Sequence, residues 1–169
     1  MNLALLLAIA AAQLPSSPSL GVAEGRCRAN EPGPAILVEV AGLRDRQGHL
    51  KLEAYPSNDR DFLADDNVLI MAGKVFRRVT RPVPARGNVQ LCIRLPAPGA
   101  YSLSLLHDRD SNRRFGLSTD GVGFPNNPRL GLSRPRAAAT RVTAGQGVTR
   151  IRIVMNYRRG MFSFGPLER

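Results

Sequence analysis

The chain has 169 residues, 43% hydrophobic, with no tryptophan, two cysteines and a formal charge of +11. That length suits one domain around one core. The lack of CxxC spacing weakens zinc and redox-motif readings, and scarce aromatics, none interleaved with a basic helix, disfavour specific nucleic-acid recognition.

Residues 1–23 carry no charged side chain, and Leu3–Ala12 is a continuous apolar run. It has the length of a signal-peptide core and is too short to span a bilayer. Small-residue cleavage sites lie at Ala10-Ala11-Ala12 and Gly21-Val22-Ala23. The expected organisation is a signal peptide over 1–23, a linker over 24–34, one domain over 35–159 and a tail over 160–169. The alternative for the first segment is an apolar N-terminus or a buried strand. No other stretch approaches the roughly 18 apolar residues of a membrane helix, so the exported chain is expected in the periplasm or outside the cell, without a transmembrane segment. In an oxidising compartment an even pair of cysteines, Cys27 and Cys92, is most simply a disulfide; two unrelated buried thiols are the other reading.

Within the domain the hydrophobic period is mostly two, the mark of half-buried strands. Ile36, Val38 and Val40 share one face, as do Leu50, Leu52 and Ala54, and the polar Arg44–Gly48 link predicts that these two runs pair as a hairpin. Asp61–Gly73 can hold a short helix, and Val75–Val79 reads as an edge strand. Val89, Leu91, Ile93 and Leu95 form the next inward set. Pro96-Ala97-Pro98-Gly99 is a tight turn, after which Tyr101, Leu103, Leu105 and His107 share a face. Ala137–Thr143 and Val148–Asn156 predict a final hairpin, and the tail around Phe164 can add a strand or cover a sheet edge. About seven short strands with Gly/Pro turns predict an all-β chain, an antiparallel β-sandwich.

The segment from Tyr101 to Ser133 holds the one cluster able to do chemistry. Asp108-x-Asp110-x-Asn112 sets oxygen ligands at alternate positions, the way short loops wrap calcium, with Asp120 as a fourth ligand. Arg113 stands where an EF-type loop needs glycine, and Arg114 follows it. Both can instead pair with Asp108 and Asp110 and close the loop without metal. Asp59, Asp61, Asp65 and Asp66 form a second acidic group, read as a solvated loop or helix start able to lend a ligand near Asp120. His107 adjoins Asp108, but neighbours on a strand point to opposite faces. A satisfied imidazole at the core edge is therefore the first reading, and an unrecognised hydrolase centred on His107 the remote one. No GxSxG, HExxH or Walker pattern is present.

Gly99, Tyr101 and Ser102, then His107, Asp108, Asp110 and Asn112, then Gly123, Phe124, Asn126 and Asn127, stand in an order that resembles the bacterial family of small exported proteins catalogued as domain of unknown function 2141. The likeness covers roughly residues 35–159. It implies an immunoglobulin-like or transthyretin-like sandwich, an envelope or extracellular location, and no reaction.

Charge is the remaining pointer. Residues 24–76 sum to −2, whereas residues 77–159, with sixteen arginines and three aspartates, sum to +13. Arginine forks suit phosphate and carboxylate. Anionic polysaccharide, lipopolysaccharide or a membrane surface are the expected partners, with Arg113, Arg114, Arg134 and Arg136 as candidate anion contacts. Against this, 22 arginines over two lysines is the skew that GC-rich coding produces with no ligand at all. The expected function is a non-catalytic binding or scaffolding module of the cell envelope; the alternative is a module dependent on calcium or another cation.

Overall fold

Alternating β-branched and leucine side chains build most of the molecule into two facing sheets. The computed structural model describes residues 13–131 and 133–167; the apolar run Leu3–Ala12 lies outside them. The strands are β1 (Ala35–Ala41), β2 (His49–Pro56), β3 (Arg77–Pro82), β4 (Val89–Arg94), β5 (Gly99–Asp108), β6 (Gly121–Gly123), β7 (Arg141–Ala144), β8 (Val148–Val154), β9 (Asn156–Arg158) and β10 (Phe164–Gly165). Two short helices, α1 (Val22–Gly25) and α2 (Asp66–Met71), and a 3-10 turn at Ala137–Thr140 complete the described residues. None of these helices is long and apolar enough to cross a membrane.

The small sheet runs β4-β1-β8 and the large one β10-β9-β6-β5-β2-β3, with β7 also on β5. The ten-residue β5 is the spine of the large sheet. β2 pairs along its length, β7 takes its first half and β6 its second. Between the sheets lie the inward sets read from the sequence: Ile36, Val38, Leu50, Leu52, Leu91, Ile93, Leu103 and Leu105, closed at one end by Ile153, Met155 and Tyr157. This is the expected all-β sandwich, with one mixed pair: β8 runs parallel to β1.

Two expected hairpins are not made. β1 pairs with β4 and β8, while β2 pairs with β3 and β5, so the 42–48 link arches from one sheet to the other. Its backbone is committed elsewhere. The Arg44 N–H donates to the Tyr157 hydroxyl (3.1 Å), the Gln47 carbonyl faces His107 (2.8 Å), and the Gly48 carbonyl accepts from Val83 N–H (3.0 Å). Gly48 has φ +68°, and a Cβ there would stand 2.0 Å from the Asp108 carbonyl oxygen, so only glycine turns this corner. Likewise β7 lies in the large sheet and β8 in the small one, so Gly145–Gly147 crosses the core's end.

β3 is the expected edge strand and α2 the expected short helix. The chain ahead of β1 is part of the domain. The Arg78 N–H bonds the Gly21 carbonyl (3.0 Å), Arg78 Nη1 reaches the Ser17 carbonyl (2.9 Å), and Asn67 Nδ2 reaches the Leu14 carbonyl (2.9 Å). Residues 24–34, expected as a linker, are tied to β4 by the Arg26–Ile93 bridge and by the Cys27–Cys92 disulfide (Cα–Cα 5.9 Å). At the other end β10 extends the large sheet by one strand, as the tail's sequence suggested.

A second, smaller core covers part of the outer face of the large sheet. Tyr55, Phe62, Leu69, Phe76, Phe124 and Ala137 pack there, with edge-on contacts Tyr55–Phe62 (5.6 Å), Tyr55–Phe76 (5.4 Å) and Phe62–Phe124 (6.2 Å). The rest of that face is left partly open.

Candidate functional site

The β5–β6 connection, residues 109–120, hangs from the end of the spine. Alternation along β5 sends His107 into the core and Asp108 to the opposite side, as the sequence predicted. His107 is fully buried. A carbonyl only accepts, so Nε2 carries the proton it donates to Gln47, and Nδ1 accepts from the Tyr157 hydroxyl (2.6 Å). Burial pushes the imidazole's pKa below its ordinary value, against the opposing pull of the Gln47 bond and Asp45. Burial also pushes the Tyr157 phenol up to about 12. Both ring nitrogens are occupied and the ring does not reach the surface. This is a satisfied core-edge imidazole.

The aspartates close the loop through its backbone. Asp108 Oδ1 accepts from Asn112 N–H (3.2 Å) and Oδ2 from Arg113 N–H (2.8 Å). Asp110 accepts from the Asn112 backbone and side-chain amides, and the Asn112 side-chain oxygen Oδ1 accepts from Arg114 N–H (2.7 Å). Asp120 takes Arg109 N–H (2.9 Å) and Gly116 N–H (2.7 Å). Arg113 and Arg114 therefore contribute backbone N–H groups. Their guanidinium groups are exposed and pair with no carboxylate among the described residues, contrary to the expectation that they neutralise Asp108 and Asp110. The loop's paired cation is Arg109, which holds Asp45 through Nε (2.8 Å) and Nη2 and reaches the Thr119 carbonyl through Nη1 (2.8 Å). Burial raises the Asp45 carboxyl's pKa, but the Arg109 hydrogen bonds, the Gln47 N–H and the nearby positive charge together outweigh it and hold the group below the ordinary carboxylate value.

Asp108, Asp110 and Asp120 each bring an oxygen within 4.8 Å of the others. Three of the four expected cation ligands thus converge, while the Asn112 oxygen is turned to Arg114. The second acidic group stays apart from them: Asp61 pairs with Lys74, Asp66 with Arg78 (3.1 Å), and Asp59 accepts from Ala137 N–H (2.7 Å).

The other motif residues are structural in their contacts. Tyr101 returns its hydroxyl to the Ala97 carbonyl (2.8 Å) and clamps the 96–99 turn. Gly123 leaves room for Ile153, whose Cγ2 would stand 2.5 Å from a Cβ there, and Phe124 belongs to the outer core. Asn126 and Asn127, both at positive φ, tie the exit of β6 to the Ala139 and Arg141 carbonyls and to Val154 N–H.

The feature that sequence reasoning missed lies beneath this loop. A groove of about 370 Å³ runs over the open part of the large sheet's outer face. Leu106 of β5 and Val122 of β6 floor it, Phe115 and Leu117 overhang it from the loop, and Leu130 and Phe164 form further walls. One end is polar. There Glu53 accepts from Arg78 Nε (2.8 Å) and from the Tyr55 hydroxyl (2.7 Å), with Lys51 3.5 Å away. Arg134 stands on the rim, its guanidinium donating to the Phe62 carbonyl (3.1 Å) and pairing with no carboxylate among the described residues. Arg136, beyond it, is exposed. The readable sign was the outward position of Leu106 and Val122, and two bulky apolar residues in an otherwise polar loop.

A family model described as "Uncharacterized protein conserved in bacteria (DUF2141)" matches residues 38–152. No curated protein and no solved structure matches the chain.

Proposed function

We propose, for a chain that belongs to the uncharacterised bacterial family DUF2141, an exported, non-catalytic binding module of the cell envelope that holds an apolar chain with an anionic end. The observation that carries this reading is the groove on the outer face of the large sheet. Its size lies within the about 300–1,000 Å³ of small-molecule sites, and its lining is apolar with a few polar groups at one end, as such sites are built. Glu53 is already matched by Arg78 and Lys51, whereas Arg134 on the rim bonds only backbone carbonyls and has no carboxylate partner among the described residues. Export is supported by the apolar leader and by the Cys27–Cys92 disulfide, which needs an oxidising compartment to persist. A catalytic reading has little support, since His107 is enclosed and the aspartates beside it bond the loop's own backbone.

Displacement of 1-anilinonaphthalene-8-sulfonate by laurate and by dodecanol tests the reading. Saturable displacement by both is expected. Arg134→Gln should weaken laurate about tenfold, the worth of one hydrogen bond to a charged group, and leave dodecanol unchanged. Leu117→Asp, at an exposed lip of the groove, should abolish both while the protein melts as wild type. Absence of saturable binding, or binding that Leu117→Asp leaves intact, refutes it.

A second reading, a cation-dependent module, is favoured by the convergence of Asp108, Asp110 and Asp120. Calorimetry with calcium on wild type and Asp110→Ala decides it. Heat and a melting shift lost in the variant support it; no heat in wild type removes it.

A further inference from the structure

We infer that the corner formed by the β9–β10 turn and the β5–β6 loop docks on an anionic phospholipid bilayer. Phe115, Leu117 and Phe164 also line the groove, so the vesicle test rests on Met161, Phe162, Arg113 and Arg114, which do not. Met161 and Phe162, at the tip between β9 and β10, are 73% and 72% exposed, and Phe115 and Leu117 of the neighbouring loop are 50% and 54% exposed. The Phe115 ring meets Phe164 edge-on at 6.1 Å, and Phe164 is two residues from the tip, so the four side chains belong to one corner. Scattered single apolar residues need no explanation, but four large ones projecting together from two turns do.

The charges around them select the partner. Arg113 and Arg114 immediately precede Phe115, and Arg158 and Arg159 precede the tip. All four are exposed, and none pairs with a carboxylate among the described residues. Arg158 Nε bonds the Gly160 carbonyl (3.0 Å) and Arg159 Nη1 the Pro166 and Leu167 carbonyls (2.7 and 2.6 Å), so the same arginines brace the turn. Of the three loop acids, Asp108 and Asp120 are buried against backbone N–H groups and only Asp110 is exposed. Apolar tips ringed by arginines match a bilayer interface, where side chains such as Phe enter the acyl boundary and cations meet phosphates. A symmetric contact between two copies of this chain would set the arginines against each other, which disfavours that occupant.

Flotation of the full chain with vesicles tests this, using phosphatidylcholine alone or mixed with phosphatidylglycerol. Binding to the mixed vesicles that falls with salt is expected, with much weaker binding to phosphatidylcholine alone. Met161→Ser/Phe162→Ser should lose tenfold or more, since each buried side chain of this size is worth that much. Arg113→Gln/Arg114→Gln, which leaves the loop's backbone bonds in place, should lose about fivefold per arginine. Arg150→Gln/Arg152→Gln, on the outer face of the small sheet, should lose little. The inference is overturned if the mixed vesicles are not bound at low salt, or if the Arg150/Arg152 pair matters as much as the Arg113/Arg114 pair. A dimer that Met161→Ser/Phe162→Ser dissolves would also overturn it. Because the glutamine variant acts without touching the turn, misfolding of the serine variant does not rescue it.

Discussion

With Nε2 donating to Gln47 and Nδ1 accepting from Tyr157, a second proton on the His107 ring would displace the phenol's own. Burial lowers the folded pKa, while the unfolded ring titrates near 6.5. The folded state therefore gains stability that is fully present above the unfolded value and is lost as pH falls from there to the folded value. The urea midpoint should be flat above about pH 6.5 and decline below it, with a slope of at most about 1.4 kcal/mol per pH unit from this single proton. The lowered carboxylates Asp45 and Asp66 act in a separate window, beginning near their ordinary values and running lower. His107→Gln should remove the first decline and leave the second; a decline unchanged in His107→Gln would refute the assignment. The residue scale was partly legible. Alternation placed His107 inward and Asp108 outward. What the D-x-D-x-N spacing could not reveal is that nearby backbone N–H groups already take those oxygens, because such donors leave no mark on side-chain identity.

At the scale of elements, the segment before β1 is an edge cover. Gly21 and Ser17 supply carbonyls to Arg78 on β3, and Leu14 supplies one to Asn67 of α2. Each net bond is worth about 1 kcal/mol, so a chain beginning at Glu24 should be less stable by roughly 2–3 kcal/mol than one beginning at Gln13. Differential scanning calorimetry reads that as a melting point several degrees lower; equal melting points would show the cover to be idle. Under the proposed export, processing after Ala12 would keep these contacts and processing after Ala23 would remove them, and mass spectrometry of the mature chain decides between the two sites. Strand existence was read well at this scale and strand pairing poorly. Ile36/Val38/Val40 and Leu50/Leu52/Ala54 give the same alternation whether their strands lie side by side or face each other across the core. The 42–48 link contains the glycine and polar residues of either a turn or an arch. The parallel β1–β8 pair has no local signature at all, since its register joins residues over a hundred positions apart.

For the whole molecule, the Cys27–Cys92 bridge closes a loop with a sequence separation of 65 and fastens the N-terminal cover to the small sheet. Chain-entropy reasoning gives it about 4 kcal/mol. Reduction should shift the denaturant midpoint accordingly, and Cys92→Ser should match the reduced wild type; a midpoint insensitive to reductant would contradict this. The closing strand of the small sheet sets a further condition. Ala35–Ala41 has β4 on one side and Val148–Val154 on the other, so its second partner leaves the ribosome long after it does. Such distant pairings must wait for the chain to be nearly complete, and they slow folding. The small sheet therefore stays a two-stranded ribbon, with one edge of β1 unpaired, until Val148–Val154 has been made.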